Sequence, residues 1–255
     1  MAIQYRDLVK KLMRKANDAT ELGNEAEAQT YAEKAAALAT RHGVEDALTE
    51  AFDEERPVTI ILKKITVSNP YPVHRINLLS VIARNLGCKV LKDGRNGAEL
   101  FGDERDVERV MFVYRLISVH MLDAVSKSRP SLPTHAEGKH WYFKTEGLTP
   151  AETKSYRVNW VRGYVAGIGA RMAEAYKVVV AEQKALRPGA ALVLSDRKAL
   201  VEVKIAETYG KVRRGRAARI TNVAAFREGV AAASDADLGQ TRINNGPERR
   251  RQISA

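Results

Sequence analysis

The chain is 255 residues long, 45% hydrophobic and 29% charged, a balance that excludes a disordered or fibrous polymer and suits one good core or two modest ones. Against 31 Asp and Glu stand 42 Lys and Arg, a formal charge of +11, which favours polyanionic partners by steering and counter-ion release. The single cysteine, Cys88, excludes an intramolecular disulfide and suits a reducing cytoplasm.

The first segment reads as a helical hairpin over residues 1–48. Tyr5, Leu8, Val9, Leu12, Met13 and Ala16 recur at helical spacing, with Arg6, Lys10, Lys11, Arg14 and Lys15 mostly on the other side. Gly23 breaks the helix, and Asn24 with Glu27 forms the pair expected of a helix start. Ala28, Ala32, Ala35 and Ala39 make a small-residue stripe that ends at Arg41-His42-Gly43.

Leu8, Leu12 and Ala16, then Asn24-Glu25-Ala26, Ala28, Ala32, Ala35 and Leu38, closing on Arg41-His42-Gly43, together resemble the domain of unknown function 2786. The remainder, with Glu99-Leu100-Phe101-Gly102 before a helix and a later helix containing Arg and Gly, is similar to the companion region that follows this domain in phage proteins. The resemblance implies a bacterial or actinobacteriophage origin and supplies no activity and no site residues.

From Pro57 the pattern turns extended. Val58 to Leu62 and Ile65 to Val67 are rich in strand formers, with Lys63-Lys64 interrupting as a bulge or a sheet edge does. A turn at Asn69-Pro70-Tyr71-Pro72 leads into a helix marked by Val73, Ile76, Leu79, Ile82, Ala83 and Leu86 and closed by Gly87. Cys88 to Lys92 and Gly97 to Phe101 make a hairpin about Asp93-Gly94. Asp103 caps a further helix with Val107, Val110, Met111, Tyr114, Ile117 and Met121 on its buried face. The order over 57–126 is β-α-β-β-α, expected as a small sheet covered on one face by two helices.

Residues 127–148 are polar and proline-bearing and read as a linker. Thr149-Pro150-Ala151-Glu152 then starts a helix that runs to Leu186, about 55 Å at 1.5 Å per residue. Val158, Val161, Val165, Ile168, Met172, Ala175 and Val179 form its apolar stripe, and Tyr156, Trp160 and Tyr164 a neighbouring aromatic row. Gly163, Gly167 and Gly169 each weaken a helix by about 1 kcal/mol relative to alanine, which points to close approach by another element. A short strand over Ala190 to Leu194, a helix opened by Ser195 or Asp196, and a helix near Asn222 to Ala233 complete the helical region 149–236. Residues 237–255 read as a flexible tail. The fold class is α+β and helix-rich.

The strongest functional candidate is the basic run of Lys211, Arg213, Arg214, Arg216 and Arg219, whose glycine and alanine spacing lets cations follow a phosphate backbone. A solvated loop explains it equally well. Lys10, Lys11 and Arg14 extend the patch if the fold brings them near. His135 and His140 beside Trp141, Tyr142 and Phe143 lack further ligands nearby, so no metal is expected. The cluster reads as a core plug, with Trp141 and Tyr142 as candidates for stacking on bases.

Ser195-Asp196-Arg197-Lys198 matches the serine-x-x-lysine pattern of acylating enzymes without its companion elements, and a helix cap accounts for it. Gly138-Lys139 lacks the first glycine of a phosphate loop, and no catalytic residue or cofactor is expected. With charge in residues 1–7 and no run of about 18 apolar residues, neither an export signal nor a membrane span is expected.

The resulting expectation is a non-enzymatic, nucleic-acid-associated accessory protein binding DNA or RNA in a cytoplasm, the host's if it is phage-encoded. One alternative is an adaptor that docks a host or phage protein through the alanine stripe or the aromatic row. Another is an enzyme whose site is assembled from distant residues. The two faces of the long helix also make homo-oligomerisation an expectation.

Overall fold

A computed structural model describes residues 58–137, 140–186, 190–213, 215 and 219–236, together with residues 11, 12, 14, 15, 18, 19, 22, 24, 27 and 31. The chain divides into two compact units, residues 1–39 with 237–255 and residues 40–236.

In the first unit the expected helix start forms at Asn24. Its Oδ1 accepts the Glu27 N–H at 3.4 Å, and its Nδ2 donates to the Glu27 carboxylate at 2.8 Å. This satisfies backbone groups that a helix end leaves without partners. The alanine stripe, Arg41-His42-Gly43 and the 237–255 tail lie outside the described residues.

The second unit begins with the expected β-α-β-β-α order: β1 (Ile60–Thr66), α1 (Pro72–Asn85), β2 (Lys89–Asp93), β3 (Gly97–Asp103) and α2 (Glu104–Lys127). The strands form an antiparallel sheet in the order β1-β3-β2. Register between β1 and β3 is unbroken from Ile60 opposite Asp103 to Thr66 opposite Gly97. Lys63-Lys64 therefore marks a sheet edge and not a bulge, since charge on an edge discourages further pairing. Gly87, at φ 75, closes α1, and the Asp103 carboxylate caps α2 by accepting the Arg105 N–H at 3.2 Å.

Alternation along β3 points Leu100 and Gly102 to the side of α1 and α2. A side chain at Gly102 would run into Cys88 and Val107. Phe101 points the other way and is fully buried, against Val201 and Ile205 of α4 (Ala190–Tyr209) with Ile60 and Leu91 beside them. Tyr209 meets the Phe101 ring edge-on at 6.2 Å, and its hydroxyl donates to the Glu99 carboxylate.

This corrects the expected one-sided layer. The central strand is apolar on both faces and needs cover on both. It also corrects the expected strand at Ala190 to Leu194, which is helical, so Ser195 and Asp196 lie inside α4 and not at its start. Five apolar residues in a row cannot by periodicity be told from a buried helical segment.

The stretch read as a linker contains an antiparallel hairpin of β4 (Leu132–Glu137) and β5 (His140–Lys144), irregular between Pro133 and His135. Proline lacks the N–H that a regular ladder needs. Next comes α3 (Pro150–Leu186), started as expected by Thr149 and Glu152. Thr149 Oγ1 accepts the Glu152 N–H at 3.2 Å, and the Glu152 carboxylate accepts the Thr149 N–H at 2.7 Å.

α3 packs along α5 (Val223–Asp235), which Asn222 caps by accepting the Ala225 N–H at 3.0 Å. The two helices nearly touch backbones. A Cβ on Gly163 would overlap the Phe226 carbonyl, one on Gly229 the Trp160 carbonyl, and one on Gly167 would crowd Ala233. Gly169 faces Val81 of α1.

Tyr156, Trp160 and Tyr164 are buried. Trp160 and Tyr164 stack with centroids 5.6 Å apart, Tyr164 shares a 2.6 Å hydrogen bond with His120, and Tyr156 donates to Glu228. The aromatic row is thus core and not a docking face, because aromatics of this size contribute most where fully desolvated. Val161, Val165, Ile168 and Met172 of the apolar stripe are buried as well. None of the described helices is long and apolar enough to cross a membrane.

Candidate functional site

The basic run spans the connection from α4 to α5. Gly210, at φ 63, ends α4 with its N–H on the Ala206 carbonyl at 2.8 Å, a closure that favours glycine. Lys211, Arg213 and Arg219 are exposed, as are Val212, Gly215 and Ile220. Arg214 and Arg216 lie outside the described residues.

The far end of the run is held by α3. Arg162 donates to the Arg219 carbonyl oxygen at 2.8 Å. Asn159, almost wholly buried, accepts the Thr221 N–H at 3.0 Å and donates to the Thr221 hydroxyl at 2.9 Å. Asn222 donates to the Ser131 carbonyl at 3.2 Å, tying the segment to the base of the β4–β5 hairpin. Side chains of α3 thus hold the main chain at Arg219 and Thr221, and Asn222 anchors the next residue through its own amide, so Arg219 projects from a held backbone.

Positive charge continues beyond the run. His74 of α1 is half-buried, its Nδ1 lacks a hydrogen-bond partner among the described residues, and its pKa is pulled down to about 4. Burial is the main cause, and the cations Arg162 and Lys92 add to it. His74 is therefore neutral at pH 7, while Arg162 and Lys92 form a cationic neighbourhood joined to the run through Arg219. Sequence reasoning did not find Arg162, Lys92 or His74, which come from three separate elements. Asn159 offered a signal: an amide one residue from Trp160 on a face bound for the core needs a specific partner.

The aromatic candidates lie on β5. Tyr142, opposite His135 in the ladder, and Phe143 are each 47% exposed, which corrects the core-plug reading for these two. A two-stranded hairpin has too little area to bury both faces. Trp141 pairs with Ala136 in the ladder, and its side chain lies outside the described ones.

The remaining charged cluster is structural. The buried Asp106 carboxylate meets Arg109 at 2.8 Å and Arg197 of α4 at 3.7 Å, joining α2 to α4. Burial raises the Asp106 pKa and the two arginines oppose that rise. The serine-x-x-lysine stretch is engaged likewise, with Arg197 on Asp106 and Lys198 lying 5.2 Å over the Tyr176 ring. Among the described residues no three His, Cys, Asp or Glu side chains converge as metal ligands.

Comparison with known proteins adds one finding. Residues 6–46 match the family described as protein of unknown function DUF2786. No curated protein and no solved structure matches the chain. Within the DUF2786 segment Lys11 and Arg14 are exposed and helical, and Lys15 lies 5.4 Å over the Tyr31 ring. Lys10 lies outside the described residues. These cations belong to the first unit and the 211–219 run to the second. The DUF2786 match carries no activity.

Proposed function

We propose that the protein is a non-enzymatic accessory protein that associates with nucleic acid, contacting phosphates through Lys211, Arg213, Arg214, Arg216 and Arg219, with Arg162 bound to the run at Arg219. The observation that carries this reading is the bond from Arg162 to the Arg219 carbonyl. It fixes the backbone of an exposed basic segment next to further cations, so fewer degrees of freedom are lost when phosphates dock. Tyr142, on the hairpin whose base Asn222 holds, supplies an exposed ring suited to stacking on an unpaired base. The free, buried Cys88 fits a reducing cytoplasm, which is the host's if the protein is phage-encoded.

A protein partner is the second reading. Tyr209, Val212, Ile220 and Val223 flank the run and are 41–56% exposed, an apolar border that an acidic protein surface would cover.

Fluorescence anisotropy with labelled single-stranded DNA, duplex DNA and RNA at low salt separates the two. Micromolar or tighter binding that is lost when the five cations of the run become alanine supports the nucleic-acid reading. Absence of binding at low salt removes it and leaves the protein partner.

A further inference from the structure

We propose that the cleft between the last turn of α1, β2 and α4 binds a small organic anion, an apolar body carrying one phosphate or carboxylate group. The cleft encloses about 380 Å³, within the range of small-molecule sites. Val81, Val90 and Val201 make it aliphatic. Three cations line it, Arg84, Lys89 and Lys198, against one acid, Glu202.

Glu202 is already engaged by Lys89 at 2.6 Å. Arg84 and Lys198 are exposed and have no acid partner among the described residues, since the contact of Lys198 with the Tyr176 ring leaves its charge in place. Two uncompensated cations beside low-dielectric walls concentrate positive potential in the cleft, and the apolar walls favour a ligand with more than a bare anion to offer.

Cys88 also lines the cleft and is buried, and burial, with the carboxylates of Asp106 and Asp103, raises its pKa. A protonated thiol is a poor nucleophile, so the arrangement suits binding and not covalent chemistry.

This proposal stands apart from the nucleic-acid reading. The probe is anilinonaphthalene sulfonate, an aromatic body with one anionic group, titrated by fluorescence into the full chain at low salt. Adenosine monophosphate and octanoate serve as competitors to separate a phosphate from a carboxylate preference.

The expected result is saturable binding displaced by at least one competitor, weakened at least tenfold in Arg84→Glu/Lys198→Glu and lost in Ser80→Trp, which fills the cleft. Both variants are checked for native circular dichroism and melting. A third variant, with the five cations of the 211–219 run changed to alanine, retains probe binding. Equal probe fluorescence in wild type and both cleft variants, or displacement by neither competitor, overturns the proposal. So does binding of a labelled single strand that the charge reversal abolishes while neither competitor displaces the probe, which assigns the cleft to nucleic acid.

Discussion

The Arg162 guanidinium donates to the carbonyl oxygen of Arg219 at 2.8 Å, so a cation of α3 grips the basic run at its main chain and leaves the Arg219 side chain in solvent. Removing it loses a charge-assisted hydrogen bond and one cation at once. Arg162→Ala is expected to weaken nucleic-acid binding about fivefold, corresponding to about 1 kcal/mol. Arg162→Lys, which keeps the charge and loses the fork, recovers part of it. Anisotropy at fixed salt reads both, and unchanged affinity in Arg162→Ala contradicts the anchoring.

The contact of α3 with α5 depends on Gly229, where an added Cβ would overlap the Trp160 carbonyl. Gly229→Ala must push the helices apart and is expected to cost about 3 kcal/mol. For a unit of this size that lowers Tm by about 6–12 °C in a circular dichroism melt. Gly215→Ala, where a Cβ meets nothing, is expected to stay within about 0.5 kcal/mol of wild type. Similar melting of the two variants would argue against the close crossing.

His74 titrates near 4 in the folded protein against 6.5 when unperturbed. Well above pH 6.5 it is neutral in both states and contributes no pH dependence. Between 6.5 and 4 the unfolded state gains the proton first, so stability falls as pH falls. Discounted for solvent screening, the loss is about 1–2 kcal/mol. Denaturant melts of wild type and His74→Gln from pH 7 to 4 should differ by this slope, and parallel curves would exclude it.

α4 covers the outer face of the sheet through Val201 and Ile205. Ile205→Ala is expected to destabilise by about 2–3 kcal/mol and to raise hydrogen exchange in β3. Val203→Asp, on the same helix but 53% exposed, is expected to change stability by no more than about 0.5 kcal/mol. Equal effects would mean that α4 does not pack as described.

Much of the second unit was legible from local signals. Asp103, Thr149 with Glu152, Asn222 and Gly87 each mark an element end where the chain has one, because capping chemistry acts within a few residues. The glycines of α3 announced a close neighbour without naming it, and α5 is that neighbour.

What escaped was non-local. The sheet was expected to be covered on one face only because the cover of Phe101 on the other, Val201 and Ile205, lies about a hundred residues away in the chain. The basic run was readable as composition. Its attachment to Arg162 was not, since an arginine on a helix is ordinary, and the amide of Asn159 beside Trp160 signalled a partner without naming Thr221.

The most direct measurement of the central claim is the salt dependence of nucleic-acid affinity, followed by anisotropy from low to moderate salt. Wild type is compared with a variant carrying alanine at Lys211, Arg213, Arg214, Arg216 and Arg219. If these five cations contact phosphates, the slope of log affinity against log salt falls by about 4 in the variant, each contact releasing about 0.7–0.9 counter-ion. An unchanged slope, with or without a change in affinity, would mean that the run does not touch phosphate.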